Sequence, residues 1–328
     1  MSKTAVPPDA SVVIVSYNTR DLLAECLVSL KQNAGGISYE VLVVDNASRD
    51  GSADFIEKQF PATVVVRSEV NLGFAAANNR ALPLARGRYI VLLNSDAFLQ
   101  NGALELAVSH MDREKGAGIG GARLVGRDGS WQPSARMFPS LLNDFLSMTG
   151  LAAKFPASRF FGRMDRTWAD PSRPAEVDWV PGAFSIIRRQ ALEQAGCFDE
   201  SFFLYYEEVD LCRRIKAAGY SAWYWSDVVV VHLGGESSKT VQNLALSSSG
   251  SQLTLWRMRS ALLYYRKHHG GGAWMEEQME VLWHLVRHWK NRLKGDARKA
   301  EESKLLVSLM RRAWRETSGG RVSPPRPW

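Results

Sequence analysis

The first hundred residues alternate between short apolar runs and helical patterns, and this alternation limits the possible folds more than any other feature. The apolar runs are rich in β-branched residues: Ser11–Ser16, Val41–Val44, Val64–Val66 and Tyr89–Leu93. Runs this short suit strands that are buried on both faces of a sheet. Leucines spaced three and four apart predict a helix after the first run, and a second helix is predicted over Gly73–Ala85. The sequence therefore predicts a doubly wound α/β sheet.

Polar side chains gather where three of these predicted strands end. They lie at Ser16–Asn18, at Asp45–Ser48 and at Asn94–Asp96. In open α/β sheets, ligands bind beyond the carboxyl ends of the strands. The three polar clusters together therefore predict a ligand site at that edge, with more weight than any one cluster carries.

Asp45 and Asp96 each allow two interpretations. Asp45 ends a buried run, where a carboxylate needs either a ligand or a backbone donor. Capping of the next helix, with help from Ser48 and Asp50, satisfies the same need. Asp96 lies in Asn94-Ser95-Asp96, a motif that by itself favours a turn. A carboxylate at a strand end opposite a diphosphate is also a common Mg²⁺ or Mn²⁺ ligand.

Three carboxylates lie within four positions at Glu207, Glu208 and Asp210, directly after an aromatic run. Close like charges and an apolar environment both raise carboxyl pKa values, which suits a general base. Acidic residues in the first turn of a helix give the same pattern, because they complement the helix dipole. The two interpretations are compatible.

His232 closes the apolar run Val228–Val231 and precedes two glycines. A lone histidine is more often structural, but this position after a strand favours metal or phosphate binding. No G-x-G-x-x-G motif of dinucleotide sites follows the first strand, and the sequence lacks the P-loop motif and the nucleophile elbow of hydrolases. With no phosphate-binding glycine loop, a metal ion is the expected counter-charge for phosphate.

The C-terminal part of the chain is basic. From Ser251 onward there are 16 Lys and Arg against 7 Asp and Glu, whereas the whole chain has 41 against 34. Nucleic acid and anionic membrane are the usual partners of such a region. One predicted helix there carries apolar residues on a single face: Met275, Met279, Leu282, Val286, Trp289 and Leu293.

This amphipathic helix has two compatible interpretations. In the first, Met275, Leu282 and Trp289 pack on the core of the α/β domain as a cap. In the second, tryptophans and basic residues lie at a membrane interface. A shorter helix is predicted over Leu305–Trp314. No run approaches the roughly 18 apolar residues of a membrane span, and no secretory signal is evident.

Seven ordered segments resemble the family 2 glycosyltransferases of the GT-A fold. They are SVVIVSYNTRDLL, VLVVDNASRDGS, NLGFAAANNRAL, YIVLLNSDAFL, VPGAFSIIRR, FFLYYEEVDLCRRIKAAGY and VVVVHLGG. The resemblance implies a Rossmann-like mixed sheet flanked by helices, with a C-terminal helical extension. It divides the chain into a flexible stretch 1–10, a catalytic domain 11–250, a basic helical region 251–317 and a disordered tail 318–328.

The resemblance also implies roles for individual residues. Nucleotide-sugar binding falls to Ser16, Tyr17, Asn18, Asp45, Asn71, Gly73, Phe74, Asn94, Ser95 and Asp96. Asp96 and His232 would hold Mg²⁺ or Mn²⁺, although Asn94 replaces the first acid of the family's D-x-D motif. Glu208 matches the proposed base, with Glu207 and Asp210 as alternatives. Acceptor binding falls to Trp179, Gly182 and Ala183.

Within the family the chain looks most like bacterial rhamnosyltransferases, which use dTDP-L-rhamnose. The resemblance implies an inverting transfer to a glycan or lipid-linked acceptor, with UDP- and GDP-sugars as alternative donors. It also implies a cytoplasmic protein, with peripheral contact at the inner membrane face through the C-terminal helices. A nucleic-acid-binding module is disfavoured, because the acids at 207–210 would repel nucleic acid. A nucleotidyltransferase would need a basic glycine-rich loop after the first strand, where the chain has Ser16-Tyr17-Asn18.

Overall fold

The structure is a computed structural model that describes residues 6–234 and 249–325. Its strands are β1 (Ala10–Ser16), β2 (Tyr39–Asp45), β3 (Val64–Arg67), β4 (Tyr89–Leu93), β5 (Ala97–Leu99), β6 (Ala117–Val125), β7 (Trp131–Gln132), β8 (Ala175–Val177), β9 (Phe184–Arg188) and β10 (Ser221–His232). Its helices are α1 (Arg20–Asn33), α2 (Ser52–Gln59), α3 (Gly73–Ala81), α4 (Ala103–Arg113), α5 (Leu141–Met148), α6 (Leu151–Lys154), α7 (Arg189–Ala195), α8 (Glu207–Ala217), α9 (Ser249–His269), α10 (Gly272–Leu293) and α11 (Ala297–Glu316).

These strands form one mixed sheet in the order β3-β2-β1-β4-β9-β6-β10-β5, with β7 beside β6 and β8 beside β10. Strands β1 to β4 are parallel, as the alternating sequence predicts, and β9 enters antiparallel between β4 and β6. The antiparallel pairing of β5 with β10 sets Ala97 opposite His232. This pairing brings the residue that follows Asp96 beside the end of a strand far away in sequence.

Apolar side chains fill both faces of the sheet. One core lies among α1, α2, α4 and the sheet, and includes Ile14, Leu23 and Leu104. The other lies beneath α3, α7 and α8 and continues into the C-terminal helices through residues such as Leu262 and Met310. The C-terminal region is thus part of the second core.

Two boundary predictions need correction. The predicted disordered tail is packed over its described part, because Arg266 donates to the carbonyl of Gly319 at 2.9 Å and Gly320 is buried. At the other end, Asp9 accepts a hydrogen bond from Ser38 at 2.6 Å, so the flexible stretch does not extend to residue 9. Residues 1–5 and 326–328 lie outside the described residues.

Helix α10 presents its apolar face to solvent, so the prediction that this face caps the core is wrong. Leu282 is 64% exposed and Trp289 58% exposed, and Met275, Val286 and Leu293 are exposed with them. The face against the protein instead carries Glu276, Glu277, Glu280 and His284. Arg257 on α9 provides a counter-charge, with its guanidinium 3.3 Å from the carboxylate of Glu280. An amphipathic pattern shows which residues share a face, but it does not show which face packs on the protein. In α10 the charged face packs on the protein, where Arg257 contacts Glu280.

Within residues 6–234 and 249–325, no helix is long and apolar enough to cross a bilayer.

Candidate active site

The carboxyl ends of β1 and β2 lie side by side, with Ser16 in register with Asp45. A chain of hydroxyl groups crosses from there to the end of β4. The Ser16 and Thr19 hydroxyls lie 3.0 Å apart, and Thr19 donates to Ser95 at 2.9 Å. All four residues are buried. The hydroxyl chain therefore connects the polar cluster after β1 with the polar cluster after β4.

Asp45 has one satisfied oxygen and one unsatisfied oxygen. Its Oδ2 accepts the backbone N–H of Ser48 at 3.3 Å, which closes a turn after β2. Asp45 does not cap the next helix, because α2 begins at Ser52, its N-cap is Gly51, and the Ser52 N–H donates to Asp50. Its Oδ1 is buried and has no hydrogen-bond partner among the described residues. A buried carboxylate oxygen without a partner is costly, so this oxygen is available to a ligand donor. The capping interpretation of Asp45 is therefore wrong, and the ligand interpretation stays a prediction.

Tyr17 and Asn18 follow β1 at the same edge and are partly exposed. Asn18 adopts a positive φ of 53° and is held by the loop after β2. Its backbone N–H donates to the Ser48 hydroxyl at 3.0 Å, and its side-chain oxygen accepts from the N–H of Arg49 at 2.7 Å. The loops after β1 and β2 are thus fastened to each other along this wall.

The loop before α3 is set by Asn46, a residue that the sequence interpretation overlooked. Its side-chain N–H₂ donates to Asn71 at 2.9 Å, and its oxygen accepts the N–H of Leu72 at 2.8 Å. Gly73 has φ of 79°, and a Cβ atom there would overlap the carbonyl of Phe203. Only glycine fits this conformation and this close approach. The segment before α8 therefore packs directly on the start of α3.

Phe74, Gly182 and Ala183 connect this loop to the end of β4. The N–H of Phe74 donates to the carbonyl of Phe203 at 2.9 Å. A Cβ atom on Gly182 would meet the Phe74 ring at 3.2 Å. The N–H of Asn94 donates to the carbonyl of Ala183 at 3.0 Å. The residues predicted to bind the nucleotide sugar therefore lie next to those predicted to bind the acceptor substrate.

Asp96 and His232 face each other across the β5–β10 junction. His232 Nε2 lies 3.6 Å from Oδ1 of Asp96 and 3.5 Å from the side-chain nitrogen of Asn94. Gln132 holds the other ring nitrogen, since its Oε1 lies 3.1 Å from Nδ1, and its N–H₂ donates to the His232 carbonyl at 2.8 Å. Burial lowers the pKa of His232 more than the charge of Asp96 raises it, which favours the neutral imidazole. Neutral imidazole is the form that binds metals.

This donor set fits a divalent ion shared with a ligand. Two ligand atoms that each contact one ion at about 2.1 Å lie roughly 3 to 3.5 Å apart. The 3.6 Å between Asp96 and His232 needs only a small adjustment to reach this range. Among the described residues, no cluster of three or more His, Cys, Asp or Glu could hold a metal. The remaining ligands would have to be phosphate oxygens and water, as is usual for Mg²⁺.

Two consecutive tyrosines in the left-handed conformation introduce the carboxylates of α8. Tyr205 and Tyr206 have φ of 70° and 69°. Such strain in bulky residues persists only where surrounding structure enforces it, and it is frequent at functional sites. Glu207 and Glu208 then occupy the first two positions of α8. The turn directs two carboxylates to the helix N-terminus, where the helix dipole favours their charge.

Glu207 and Glu208 differ in accessibility. Burial, and then the charge of Glu208, raises the pKa of Glu207 well above its usual value. Burial also raises the pKa of Glu208, against backbone hydrogen bonding and the charge of Arg136. Glu207 is only 4% exposed, whereas Glu208 keeps partial exposure. The Oε2 atom of each is buried and lacks a hydrogen-bond partner among the described residues.

Asp210 is bound to the C-terminal helix α9. Its carboxylate accepts from Arg214 at 2.8 Å and His268 at 2.7 Å, and Lys267 lies 2.8 Å away. Burial alone would raise the pKa of Asp210, but the hydrogen bonds from His268 and Lys267 and the charge of Arg214 lower it to about 2. Asp210 is fully buried, so it is held in an ion network and is inaccessible to an acceptor.

Trp179 is buried beside this helix. Its indole donates to the carbonyl of Met137 at 3.0 Å, and the Arg136 guanidinium lies 5.1 Å from its ring centre. Arg136 also pairs with Asp165 at 3.0 Å. Trp179 therefore packs against Arg136, whose charge lowers the pKa of Glu208. Because Trp179 is buried, it offers little surface to an acceptor.

The sequence interpretation missed Asn46, Gln132, Arg136 and His268. Asn46 could have been found, because it lies inside the polar cluster after β2. Gln132 and Arg136 lie in a segment with no regular period, and His268 lies 58 residues from its partner Asp210. Only the tertiary structure brings these three to the site.

Comparison with known proteins identifies the family of the chain. Residues 11–196 match the Glycosyl transferase family 2 model. The chain is 30% identical over 233 residues to N-acetylglucosaminyl-diphospho-decaprenol L-rhamnosyltransferase of Mycobacterium tuberculosis, covering 67% of this chain and 75% of that protein. It is 23% identical over 269 residues to Rhamnosyltransferase WbbL of Escherichia coli, covering 77% and 91%.

Solved structures show the same fold. A mannosyltransferase from Pyrobaculum calidifontis, in complex with GDP-Man and Mn²⁺, superposes with a TM-score of 0.53 at 19% identity, covering 96% of this chain and 76% of that one. GalNAc-T7 with UDP, GalNAc and Mn²⁺ gives 0.52 at 14% identity, covering 81% and 52%. The architecture is the GT-A fold of glycosyltransferases. The chain belongs to glycosyltransferase family 2.

Proposed function

We propose that this glycosyltransferase moves L-rhamnose from dTDP-L-rhamnose to an acceptor hydroxyl with inversion at the anomeric carbon. The observation that carries the proposal is one continuous edge of the sheet. A buried unpartnered oxygen of Asp45 lies at one end of this edge, and the Asp96–His232 pair lies at the other. A nucleotide base and a diphosphate are chemically suited to these two ends.

The donor nucleotide would lie along the ends of β1, β2 and β4. Asp45 Oδ1 would accept an N–H of the base, with Ser16, Tyr17 and Asn18 along the same wall. Asn71, Gly73 and Phe74 would contact the nucleotide sugar and diphosphate from the loop before α3. The closely packed glycine there lets backbone groups approach the ligand.

Asp96 and His232 would hold Mg²⁺ or Mn²⁺ against the diphosphate, with Asn94 and Ser95 beside them. The ion would neutralise charge on the departing nucleoside diphosphate, so no general acid is needed. Gln132 keeps His232 in one ring orientation by contacting both its Nδ1 and its carbonyl. A partner on the second ring nitrogen is the usual way in which a metal-binding histidine is oriented.

Glu208 would take the proton from the acceptor hydroxyl as that oxygen attacks the anomeric carbon in line. A carboxylate whose pKa is raised toward neutrality is a more effective base than an ordinary one. Glu207 is less accessible and would act mainly to support the helix start. Asp210 is the weakest of the three candidates, because its ion network holds it away from any acceptor.

The acceptor would enter between Gly182–Ala183 and the start of α8, and would be a lipid-linked or other cell-envelope glycan precursor. The first-named M. tuberculosis relative is named for such a lipid diphosphate substrate. The exposed apolar face of α10 supports this acceptor class. Leucine and tryptophan on one face of a basic helix suit contact with an anionic membrane surface. UDP- and GDP-sugars are the alternative donors, and nucleic acid is not expected as a partner.

A donor panel tests the proposal. The full chain is mixed with dTDP-, UDP- and GDP-sugars plus Mn²⁺ or Mg²⁺, and both thermal stabilisation and release of nucleoside diphosphate are measured. We expect stabilisation that requires the metal and is greatest with dTDP-L-rhamnose. Preference for a UDP- or GDP-sugar would change the donor, and stabilisation by none of them would refute the proposal.

A further inference from the structure

A cavity of about 510 Å³ lies beside the proposed active site and has no role in the transfer described above. Its volume is within the range of small-molecule sites, roughly 300 to 1,000 Å³. The large side chains of its lining are aromatic or basic, namely Trp131, Arg159, Arg166, Trp168, Arg173 and Tyr224. The segment 157–175 forms one wall, and β7 with β10 forms the other.

The cavity carries excess positive charge. Its lining includes three arginines and one acid, Asp170. Asp170 is already satisfied, since Ser172 donates to it at 2.7 Å and Arg173 lies 3.5 Å away. Arg159 and Arg166 stack on Trp168, with their guanidinium carbons 4.8 and 5.2 Å from its ring centre. Neither has a carboxylate within 4 Å in the part of the chain that the structure describes.

Buried N–H groups near the cavity also lack partners. The Nε atoms of Arg166 and Arg123 and the indole nitrogen of Trp131 are buried without a hydrogen-bond partner among the described residues. Buried donors are satisfied in most proteins, so three unsatisfied ones indicate a missing acceptor. Arg166 also has a positive φ of 49°, a strained conformation for a long side chain. The protein thus maintains an unpaired guanidinium at some cost.

The cavity shares a wall with the proposed active site. Trp131 and Ala135 line the cavity, while the neighbouring Gln132 contacts His232. Arg136, at the end of the same short segment, stacks on Trp179, and its positive charge lowers the pKa of Glu208. The segment 131–136 therefore lies between the cavity and the predicted metal ligand His232, and it carries the arginine whose charge lowers the pKa of the predicted base Glu208.

We propose that this cavity binds a phosphate or diphosphate group carried by the acceptor saccharide. Guanidinium groups pair with phosphate oxygens through parallel hydrogen bonds, and those already fixed on an aromatic ring lose little freedom on binding. The unpaired Arg159 and Arg166 and the donors on Arg166 and Trp131 match an anion with several oxygens. This proposal rests on the proposed function only for the identity of the molecule that carries the phosphate.

Binding of inorganic pyrophosphate to the full chain in EDTA tests the site directly. EDTA removes the divalent ion, and so prevents metal-dependent binding of pyrophosphate at Asp96 and His232. Isothermal titration is run on wild type, Arg159→Gln/Arg166→Gln and the control Arg163→Gln, which changes an arginine of the same segment outside the lining. We expect the double variant to weaken binding by about 10- to 100-fold and the control to leave it unchanged. Equal affinity in wild type and double variant, or no binding by wild type, would overturn the proposal.

Two further variants separate a lost phosphate contact from misfolding and from binding at the donor site. Arg166→Gly removes the side chain while suiting the positive φ, so a loss of affinity with unchanged thermal stability indicates a lost contact and not misfolding. When the titration is repeated with Mg²⁺ in place of EDTA, Asp96→Asn keeps pyrophosphate affinity if the cavity is the site, and loses it if the anion occupies the metal-dependent donor site. The second result would overturn the proposal.

A kinetic arm distinguishes the acceptor's phosphate from free phosphate. The KM of a saccharide acceptor with a diphosphate is compared with that of the same saccharide without it. The double variant should raise the first KM about tenfold and leave the second unchanged; equal changes would contradict an acceptor phosphate site. Failure of every sugar nucleotide in the donor panel would refute the proposed function, while the pyrophosphate titration would still decide the anion site.

Discussion

His268 Nε2 on α9 lies 2.7 Å from Oδ1 of Asp210 on α8, so the C-terminal helices are hydrogen-bonded directly to the helix that carries the predicted base. Lys267 contacts the same oxygen at 2.8 Å. The basic extension is therefore part of the structure that positions Glu207 and Glu208. Substitutions on α9 should therefore affect the position of α8, the helix that carries the predicted base.

Asp210→Asn should destabilise the protein by about 2 kcal/mol, because the lowered pKa of Asp210 corresponds to that much preference for the charged form. The loss leaves His268 and Lys267 without their buried counter-charge. Urea unfolding at neutral pH measures it. Asp227→Asn, which removes an exposed carboxylate paired with His110, is the control and should change little. Equal loss in both variants would contradict the account.

The same carboxylate predicts a pH dependence. Its folded pKa of about 2 lies below its ordinary value of 3.8, so the charged form stabilises the folded state. This contribution is complete above about pH 4 and is lost as the pH falls toward 2. Comparing the unfolding free energy of wild type and Asp210→Asn from pH 7 to 3 should show the difference narrowing only at the acidic end. A difference that disappears between pH 7 and 5 would assign the effect to another group.

Glu208→Gln should lower turnover by about 100- to 10,000-fold while donor binding is kept, because it removes the proposed base and keeps the shape. Glu207→Gln should have a smaller effect on turnover, because Glu207 is only 4% exposed and is less accessible to the acceptor than Glu208. Steady-state kinetics over pH 5 to 9 measures both. Near-normal turnover in Glu208→Gln would make Glu207 or Asp210 the base.

Gly73→Ala should destabilise the protein by about 3 kcal/mol or more and weaken donor binding, because its Cβ atom would overlap the Phe203 carbonyl. Gly51→Ala is a matched control. Its φ of 77° is nearly the same as the 79° of Gly73, but a Cβ atom there meets nothing within 4 Å. The control should lose only about 1 kcal/mol, the cost of the left-handed conformation. Thermal unfolding of both variants separates steric overlap from backbone strain, and equal losses would contradict the packing described.

The exposed face of α10 predicts membrane binding. Leu282→Gln/Trp289→Gln should reduce flotation with anionic liposomes without lowering thermal stability, because both side chains are exposed. Val28→Gln/Val64→Gln changes two exposed apolar residues elsewhere and is the control. Binding of wild type should fall with added salt. Equal flotation of wild type and the α10 variant would leave this face without a membrane role.

The sequence predicted the sheet well and the C-terminal region poorly, for a physical reason. The strands at Ala10–Ser16 and Tyr89–Leu93 are short, apolar and buried on both faces, so local pattern and tertiary environment agree. Helix α10 has an equally clear pattern, but a pattern does not say which face meets the protein. Glu276 is buried at 1% exposure near Arg257, a relationship between helices that no single-helix pattern contains.

The residues of the candidate site also fall into two groups, those whose position could be predicted from local sequence and those whose position depends on tertiary contacts. Asp45, Asn94 and Asp96 could be predicted because strand ends are local features that converge at one edge. The distinction among Glu207, Glu208 and Asp210 could not, because it depends on His268 and Lys267 from another helix. The phosphate-site proposal depends on Arg159 and Arg166, which lie in a segment with no regular pattern.

The most direct test of the account is the product formed from dTDP-L-rhamnose and a saccharide diphospholipid acceptor by the full chain with Mn²⁺. We expect rhamnose to be transferred with inverted anomeric configuration, as NMR of the product would show. Asp96→Asn should abolish the metal-stimulated part of this activity. Retention of configuration, or unchanged metal dependence in Asp96→Asn, would contradict the account.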